Sequence, residues 1–305
     1  MTAAAVIVDG LTKTFGEHRG IDDLRFEVGH GEVFGFLGPN GSGKSTTIRL
    51  LLGLYRPTAG AAMVLGRDPT RDAVAIHRQI GYLPGELALH PHLTGRHHVD
   101  FAARVRSMKD RTFLDQLVER FGVMLDRPVR TLSKGNRQKI GVVLALMHRP
   151  ELLVLDEPTS GLDPLMQEEF ARVIRETVAE GRTVFLSSHE LDEVQRVVDR
   201  VAIIKEGRLV VTDTVDGLRR AAPRTIEFRF PRPVDPRLFA AIDGVRVIGS
   251  EDAHITLSLR GAVAPVLRAA AELDPLDVVA RRADLDELFL DYYRDDASED
   301  PDDAR

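Results

Sequence analysis

A chain of 305 residues, 43% hydrophobic and 29% charged, has the composition of an ordinary globular protein and the length for one large domain plus a smaller one. Its formal net charge of −6 argues against a protein that lives on nucleic acid, which usually presents a basic face, so no nucleic-acid partner is expected. It contains no cysteine, which excludes disulfides, thiolate metal sites and thiol catalysis and is compatible with a reducing, cytosolic setting.

The opening MTAAAVIVDG has no basic region followed by a long apolar core, so it is not expected to be a secretion signal. The next residues alternate apolar and polar, and the first thirty read as short antiparallel strands joined by polar turns. A compact apolar run, 33–37, ends at Gly38 and predicts a buried strand, with helical spacing over 46–54 directly after it. Phe101, Val105, Phe113, Leu117, Val118 and Phe121 recur at helical intervals through 97–121. A second apolar run, 152–155, is bounded by Pro150 and Pro158 and reads as a central strand. A helix over 164–180, a strand over 183–186, a helix over 190–198 and a strand over 201–205 follow. Strands alternating with helices imply a mostly parallel sheet with crossovers. After Arg219 the texture changes to period-two segments separated by helical stretches, the pattern of a small separate α+β module. The acidic ending DDASEDPDDAR has nothing to bury and is expected to be disordered. The longest apolar stretches, such as 142–147, are far too short to cross a bilayer, so any membrane role would come through a partner.

Residues 38–46, GPNGSGKST, fit G-x-x-x-x-G-K-[ST] between a predicted strand and a predicted helix. Gly38, Pro39, Asn40, Gly41, Ser42 and Gly43 let the backbone curl so that successive N–H groups point at phosphate oxygens, and the helix N-terminus adds partial positive charge. Lys44 would reach the β- and γ-phosphates, and the hydroxyl of Ser45, next to Thr46, would ligate Mg²⁺. The alternative is a glycine-rich turn before a helix. Farther on, LLVLDE delivers Asp156 and Glu157 at the end of a strand. Asp156 would hold Mg²⁺ through a water and Glu157 would polarise the attacking water, unless the pair only caps the next turn. LSKGN (132–136) precedes an apolar helix over 137–147, where a serine and a glycine make an anion site or a plain N-cap. SGLD ends at Asp163. SSH ends at His189, which either starts a helix or hydrogen-bonds a transferring phosphoryl group.

In this order the motifs resemble the nucleotide-binding subunit of ATP-binding-cassette (ABC) transporters, over roughly residues 5–215. GPNGSGKST is similar to the family's Walker A, LSKGN to its signature, LLVLDEP to its Walker B, SGLD to its D-loop and the SSH histidine to its switch. The resemblance implies an α/β P-loop NTPase with an N-terminal antiparallel β subdomain, a helical subdomain and a small C-terminal α+β module. The expected divisions are 1–218 for the cassette, with the helical subdomain at about 86–150, then 219–294 for the module and 295–305 for the tail. It further implies ATP and Mg²⁺ as cofactors and Phe15 as the aromatic that stacks on adenine, where the residues alone allow an ordinary strand-end core side chain. Two departures stand out. Where members often carry a glutamine, IGYLPGE has Gly85 followed by Glu86, and the signature has Lys134 for a usual glycine and Asn136 for a usual glutamine, while Ser133 and Gly135 remain.

In this family two cassettes pair head to tail, and the signature of one closes on ATP held by the other. Ser133, Lys134, Gly135, Asn136 and Asp163 are therefore expected to act across an interface with a second copy or a paralogous ATPase subunit. IGYLPGELALHPHLTGRHH and the ending LDELFLDYY (285–293) are similar to the antibiotic- and multidrug-exporting ABC-2 branch, whose multi-span permease subunits are separate chains. The implied protein is the ATPase of an exporter at the cytoplasmic face of the cell membrane, with the surface from 85 to 109 receiving the permease. The spacing of His90, His92, His97 and His98 fits no standard metal-ligand pattern. Rival readings are a soluble ABC ATPase in DNA repair or translation and a P-loop kinase for a small metabolite. The first usually has two cassettes, coiled-coil insertions or zinc modules, none of which is visible, and the second would leave the signature and D-loop without a function.

Overall fold

The computed structural model describes residues 4–189, 195–221 and 223–281, and these divide into two units, one ending at Thr214 and one beginning at Val215. In the first unit the early alternation forms a hairpin: β1 (Val6–Phe15) pairs antiparallel with β2 (His18–Val28). Ala59–Val64 (β4) joins the other edge of β1 to complete a three-stranded sheet of order β2-β1-β4.

The second sheet of this unit has six strands. Val33–Leu37 (β3) and Leu152–Asp156 (β6) are buried at every position, as apolar runs must be when helices or another sheet cover both faces. Ile80–Leu83 (β5), Thr183–Ser188 (β7), Arg200–Lys205 (β8) and Arg208–Thr214 (β9) complete the order β5-β6-β7-β3-β8-β9. All neighbours are parallel except β8 and β9, which form a hairpin. Phe26 from the antiparallel sheet stacks on Phe34 of β3, ring centroids 5.6 Å apart, and Phe36 and Phe185 extend this aromatic core between the sheets.

Around the sheet lie α1 (Lys44–Leu51), α2 (Pro69–Gln79), α3 (Gly95–Val105), α4 (Thr112–Arg120), α5 (Lys134–Leu146) and α6 (Pro164–Ala179). The helical pattern over 97–121 is two helices, not one. The chain breaks after Val105, and Ser107 takes φ +52°, a left-handed conformation that cannot continue a helix. Val99 and Ala103 are the buried side of α3, whereas Phe101 and Val105 are 66% and 68% exposed. Two histidines of this region, His97 and His98, serve local structure. His97 and Thr94 form a capping box at the start of α3, and His98 Nε2 accepts from the His90 amide at 2.9 Å. Of the helix expected over 190–198, residues 190–194 lie outside the described residues, and 195–198 are not helical.

The second unit opens with α7 (Val215–Ala221), which spans the position at which the sequence texture changes. A four-stranded antiparallel sheet follows, built from β10 (Arg224–Arg229), β11 (Val245–Glu251), β12 (His254–Leu259) and β13 (Asp277–Arg281) in the order β11-β12-β10-β13. α8 (Arg237–Ala240) and α9 (Ala264–Ala271) contribute Phe239 and Val266 to a core with Ile226, Phe228, Phe230 and Leu257. The period-two pattern exposed only β10 and β12, because every residue of β13 is exposed and no apolar alternation marks it. The ending at 285–293 and the acidic tail lie outside the described residues.

Candidate active site

The C-terminal ends of parallel strands are where an open α/β sheet gathers ligands, and three adjacent strands here end in the predicted motifs. Strand register puts Leu37 opposite Ser188 and Asp156 opposite Ser187, so the glycine-rich loop, the carboxylate pair and His189 leave the sheet side by side. The Gly38 amide donates to the Ser188 carbonyl at 3.2 Å, tying the loop to β7. Two of its glycines are sterically required. A Cβ on Gly38 would lie 2.4 Å from the Ile204 carbonyl oxygen, and Gly43 adopts φ +111° with its Cβ position 2.6 Å from Ile21. The loop leads directly into α1, which starts at Lys44, two residues earlier than the apolar spacing indicated.

Lys44 is buried. Its Nζ donates to the carbonyls of Gly38 at 2.6 Å and Pro39 at 3.2 Å and lies 3.4 Å from Glu157 Oε1. Ser45 Oγ donates to Asp156 Oδ2 at 2.9 Å, and Ser187 Oγ, fully buried, donates to Asp156 Oδ1. A hydroxyl and a carboxylate this close form a hard-oxygen donor pair of the kind Mg²⁺ takes, so the residues present fit that ion. Glu157 sits at φ +51°, an unfavourable backbone for a non-glycine residue. It is held there by its amide bond to the Ser187 carbonyl at 3.1 Å and by Gln138 Nε2, which donates to the carbonyls of Glu157 at 3.3 Å and Pro158 at 3.0 Å. Its Oε2 lies 2.7 Å from His189 Nδ1, and its Oε1 is buried without a hydrogen-bond partner.

These groups line a cleft of about 650 Å³, the size of an ordinary small-molecule site. Asn40, Gly41, Gly43, Lys44, Ser45 and Thr46 line it, together with Asp156, Glu157, Ser160 and His189. Gly38, Pro39 and Ser42 are not among its lining residues; the Ser42 carbonyl accepts from the Gly207 amide at 2.9 Å. Phe15 lines the cleft as well. It is 42% exposed, which sets aside the strand-end core alternative, and its ring meets Tyr55 edge-on at 5.5 Å. Tyr82 also lines the cleft, its phenol pushed above the usual range by burial and by the nearby Asp156. Gly85 and Glu86 lie on the wall, and a Cβ on Gly85 would stand 3.3 Å from Asp156 Oδ2.

The remaining motif residues are elsewhere. Ser133 is the N-cap of α5, accepting from the Asn136 amide at 3.2 Å, and Asp163 is the N-cap of α6, accepting from the Met166 amide at 3.1 Å. None of Ser133, Lys134, Gly135, Asn136 and Asp163 lines the cleft. Among the site residues not assigned roles from sequence are Tyr82, which lines the cleft, Ser187 and Gln138. Ser187 stood inside the SSH motif, and strand register with Asp156 is its signal; Gln138 stood four residues beyond Lys134, on the same helix face.

A family model described as ABC transporter matches residues 21–160. The daunorubicin resistance ATP-binding protein DrrA3 of Streptomyces coeruleorubidus is 34% identical over 312 residues, covering 97% of this chain and 98% of that protein. The chain belongs to the ABC transporter ATP-binding family. The bacitracin transport ATP-binding protein BcrA of Bacillus licheniformis is a further relative of this ABC ATPase, 37% identical over 222 residues, 72% of each chain. Among solved structures, an ATP-binding subunit of an ABC transporter matches with a TM-score of 0.65 at 31% identity, over 71% of this chain and 92% of that one. A dimeric ATP-binding cassette bound to ADP and Pi matches with a TM-score of 0.63 over 69% of this chain and 98% of that one; at 21% identity it speaks to the fold alone. The fold is thus the expected P-loop ABC ATPase, an enzyme that hydrolyses ATP.

Proposed function

We propose that this ABC ATPase powers a drug or antibiotic exporter, closing on ATP with a second cassette and passing that motion to separate permease subunits at the membrane. The observation that carries the reading is a divided machine. The loop, the carboxylate pair and the histidine converge on one cleft, while the serine and glycine of the signature lie outside it at the start of another helix. Phosphate contacts at that helix N-terminus have a purpose only if a second cassette brings its nucleotide there. Resistance and antibiotic transport in the names of DrrA3 and BcrA favour export of a drug-like molecule. No helix among the described residues is long and apolar enough to cross a membrane, in keeping with a partner that does. Phe101 and Val105, exposed four residues apart on α3 within the 85–109 surface, are apolar side chains that a permease could cover.

The chemistry follows from the residues. Phe15 offers its exposed ring to adenine. The amides of 38–46 and the α1 N-terminus take the phosphates, and Lys44 exchanges its loop carbonyls for the β- and γ-phosphate oxygens. Ser45 and Asp156 would hold Mg²⁺, which neutralises charge between the β- and γ-phosphates when bound. Glu157 has Oε2 tied to His189, while Oε1 makes no hydrogen bond and faces the Lys44 ammonium at 3.4 Å, so once Lys44 turns to the phosphates Oε1 is left to accept the proton of an attacking water. His189, at the edge of the cleft, turns from Glu157 to the γ-phosphate and steadies it as charge develops.

The test is Glu157→Gln. The variant is expected to bind ATP, to lose on the order of 10²- to 10⁴-fold in turnover, and to run as a nucleotide-trapped dimer in gel filtration. Normal steady-state turnover would remove Glu157 as the base. Full activity from a monomer would remove the shared site.

A further inference from the structure

The first turns of α5 and the loop that follows β6 are joined by three independent contacts. Lys134 Nζ donates to Ser160 Oγ at 2.9 Å, and its stem crosses Gly161, where an added Cβ would lie 3.2 Å from Lys134 Cγ and Cδ. One turn on, buried Gln138 donates to the Glu157 and Pro158 carbonyls. Between them Gly135 comes so close that a Cβ there would stand 2.6 Å from the Gly161 carbonyl oxygen. Lys134 and Gln138 are four residues apart and so share one helix face. The loop they hold is short and stiff: the Ser160 amide donates to the Glu157 carbonyl at 3.3 Å, and Glu157 itself sits in a left-handed conformation that its surroundings must enforce. Ser160 also lines the nucleotide cleft of this same chain.

We propose that Lys134 and Gln138 are positioning residues for Glu157: they make the start of α5 and the 157–161 loop one rigid piece. A second cassette's triphosphate arriving at Ser133 and Gly135 is thereby registered at this chain's own base. The proposal rests on the shared-site reading above and gives the lysine that departs from the family's usual glycine a function inside its own subunit. Gln138 is the buried, permanent half of the clamp, since losing it leaves the buried Pro158 carbonyl without its donor and the Glu157 carbonyl with the Ser160 amide alone. Lys134 is the exposed, adjustable half.

The test uses the full chain with Lys134→Met, which keeps the stem and removes the ammonium, together with Ser160→Ala and the double variant. Each single variant is expected to lower kcat on the order of tenfold with the thermal midpoint unchanged, Lys134→Met also leaving KM for MgATP unchanged, and the double variant to be no worse than either. Placed in the Glu157→Gln background, Lys134→Met is expected to leave the ATP-trapped dimer intact. Wild-type kcat for Lys134→Met, or additive losses in the double variant, would overturn the proposal. Loss of the trapped dimer would also overturn it, because Lys134 would then be acting on the partner's phosphate directly. Failure of the shared-site reading is distinguishable, since Glu157→Gln alone would then trap no dimer and the wild-type chain would be fully active as a monomer.

Discussion

His189 Nδ1 lies 2.7 Å from Glu157 Oε2, so the histidine and the carboxylate that flank the cleft are directly bonded to one another. Each is delivered by a different strand, β7 and β6, whose pairing also sets Ser187 against Asp156.

The first prediction concerns this pair. If His189 steadies the γ-phosphate, His189→Ala lowers kcat on the order of a hundredfold, the cost of losing one well-placed donor to a developing charge. If the 38–46 loop carries most of the affinity for nucleotide, as proposed, that affinity should change within about twofold. Phosphate release and titration with a fluorescent ATP analogue separate the two. An unchanged kcat would return His189 to a structural role.

The second concerns the departure at Gly85. A Cβ at this position stands 3.3 Å from both Asp156 Cγ and Oδ2, and Asp156 cannot easily give way, since Ser45 and Ser187 hold its two oxygens. Restoring the family's amide with Gly85→Gln is therefore expected to lower ATPase activity, on the order of tenfold, and to raise the Mg²⁺ concentration for half-maximal rate. A gain in activity would show that the site tolerates a side chain there.

A third concerns acid stability. His148, just past α5, shares the Ile80 carbonyl with Arg106: His148 Nε2 lies 3.1 Å and Arg106 Nη2 3.2 Å from it. Burial, helped by the Arg106 charge and opposed by the bond to Ile80, lowers the imidazole pKa from 6.5 to about 4. Between those values the unfolded chain takes up a proton at His148 and the folded chain does not, so its contribution is present above pH 6.5 and is lost as pH falls toward 4. His148→Gln keeps a donor for Ile80 and removes the titration. Between pH 7 and pH 4.5 the wild-type thermal midpoint should fall further than the variant's, by about 2–4 °C for ~1 kcal/mol at this partly exposed site. Parallel curves would exclude His148 as the titrating group.

Much of the parallel sheet was legible because its strands are continuous apolar runs with sharp edges. Val33–Leu37 was delimited to the residue, and Leu152–Asp156 missed only the aspartate that ends it. The helical subdomain was harder. Periodicity ran through 97–121 unbroken, and nothing in it marked the left-handed turn at Ser107 or told that Phe101 and Val105 face outward while Val99 and Ala103 face inward. In the second unit both edge strands, β11 and β13, went unseen; β13 is exposed at every residue, and such a strand carries little of the alternation that betrays a strand.

What the sequence by itself determined is the local chemistry: a phosphate loop, a carboxylate pair ending a strand and a histidine ending the next one. Each of these is a contiguous stretch whose geometry follows from its own glycines, its apolar approach and the helix or turn behind it. Only the tertiary structure decided how they constrain one another. Ser187 and Asp156 are 31 residues apart and Gln138 and Glu157 are 19 apart, yet both pairs are hydrogen-bonded. Gly85 and Glu157 belong to segments with no local relation, yet both border Asp156 or the cleft it lines. Those proximities arise from strand order and from the packing of α5 against the 157–161 loop, which depend on burial summed over the whole domain and leave no mark in any single window of residues.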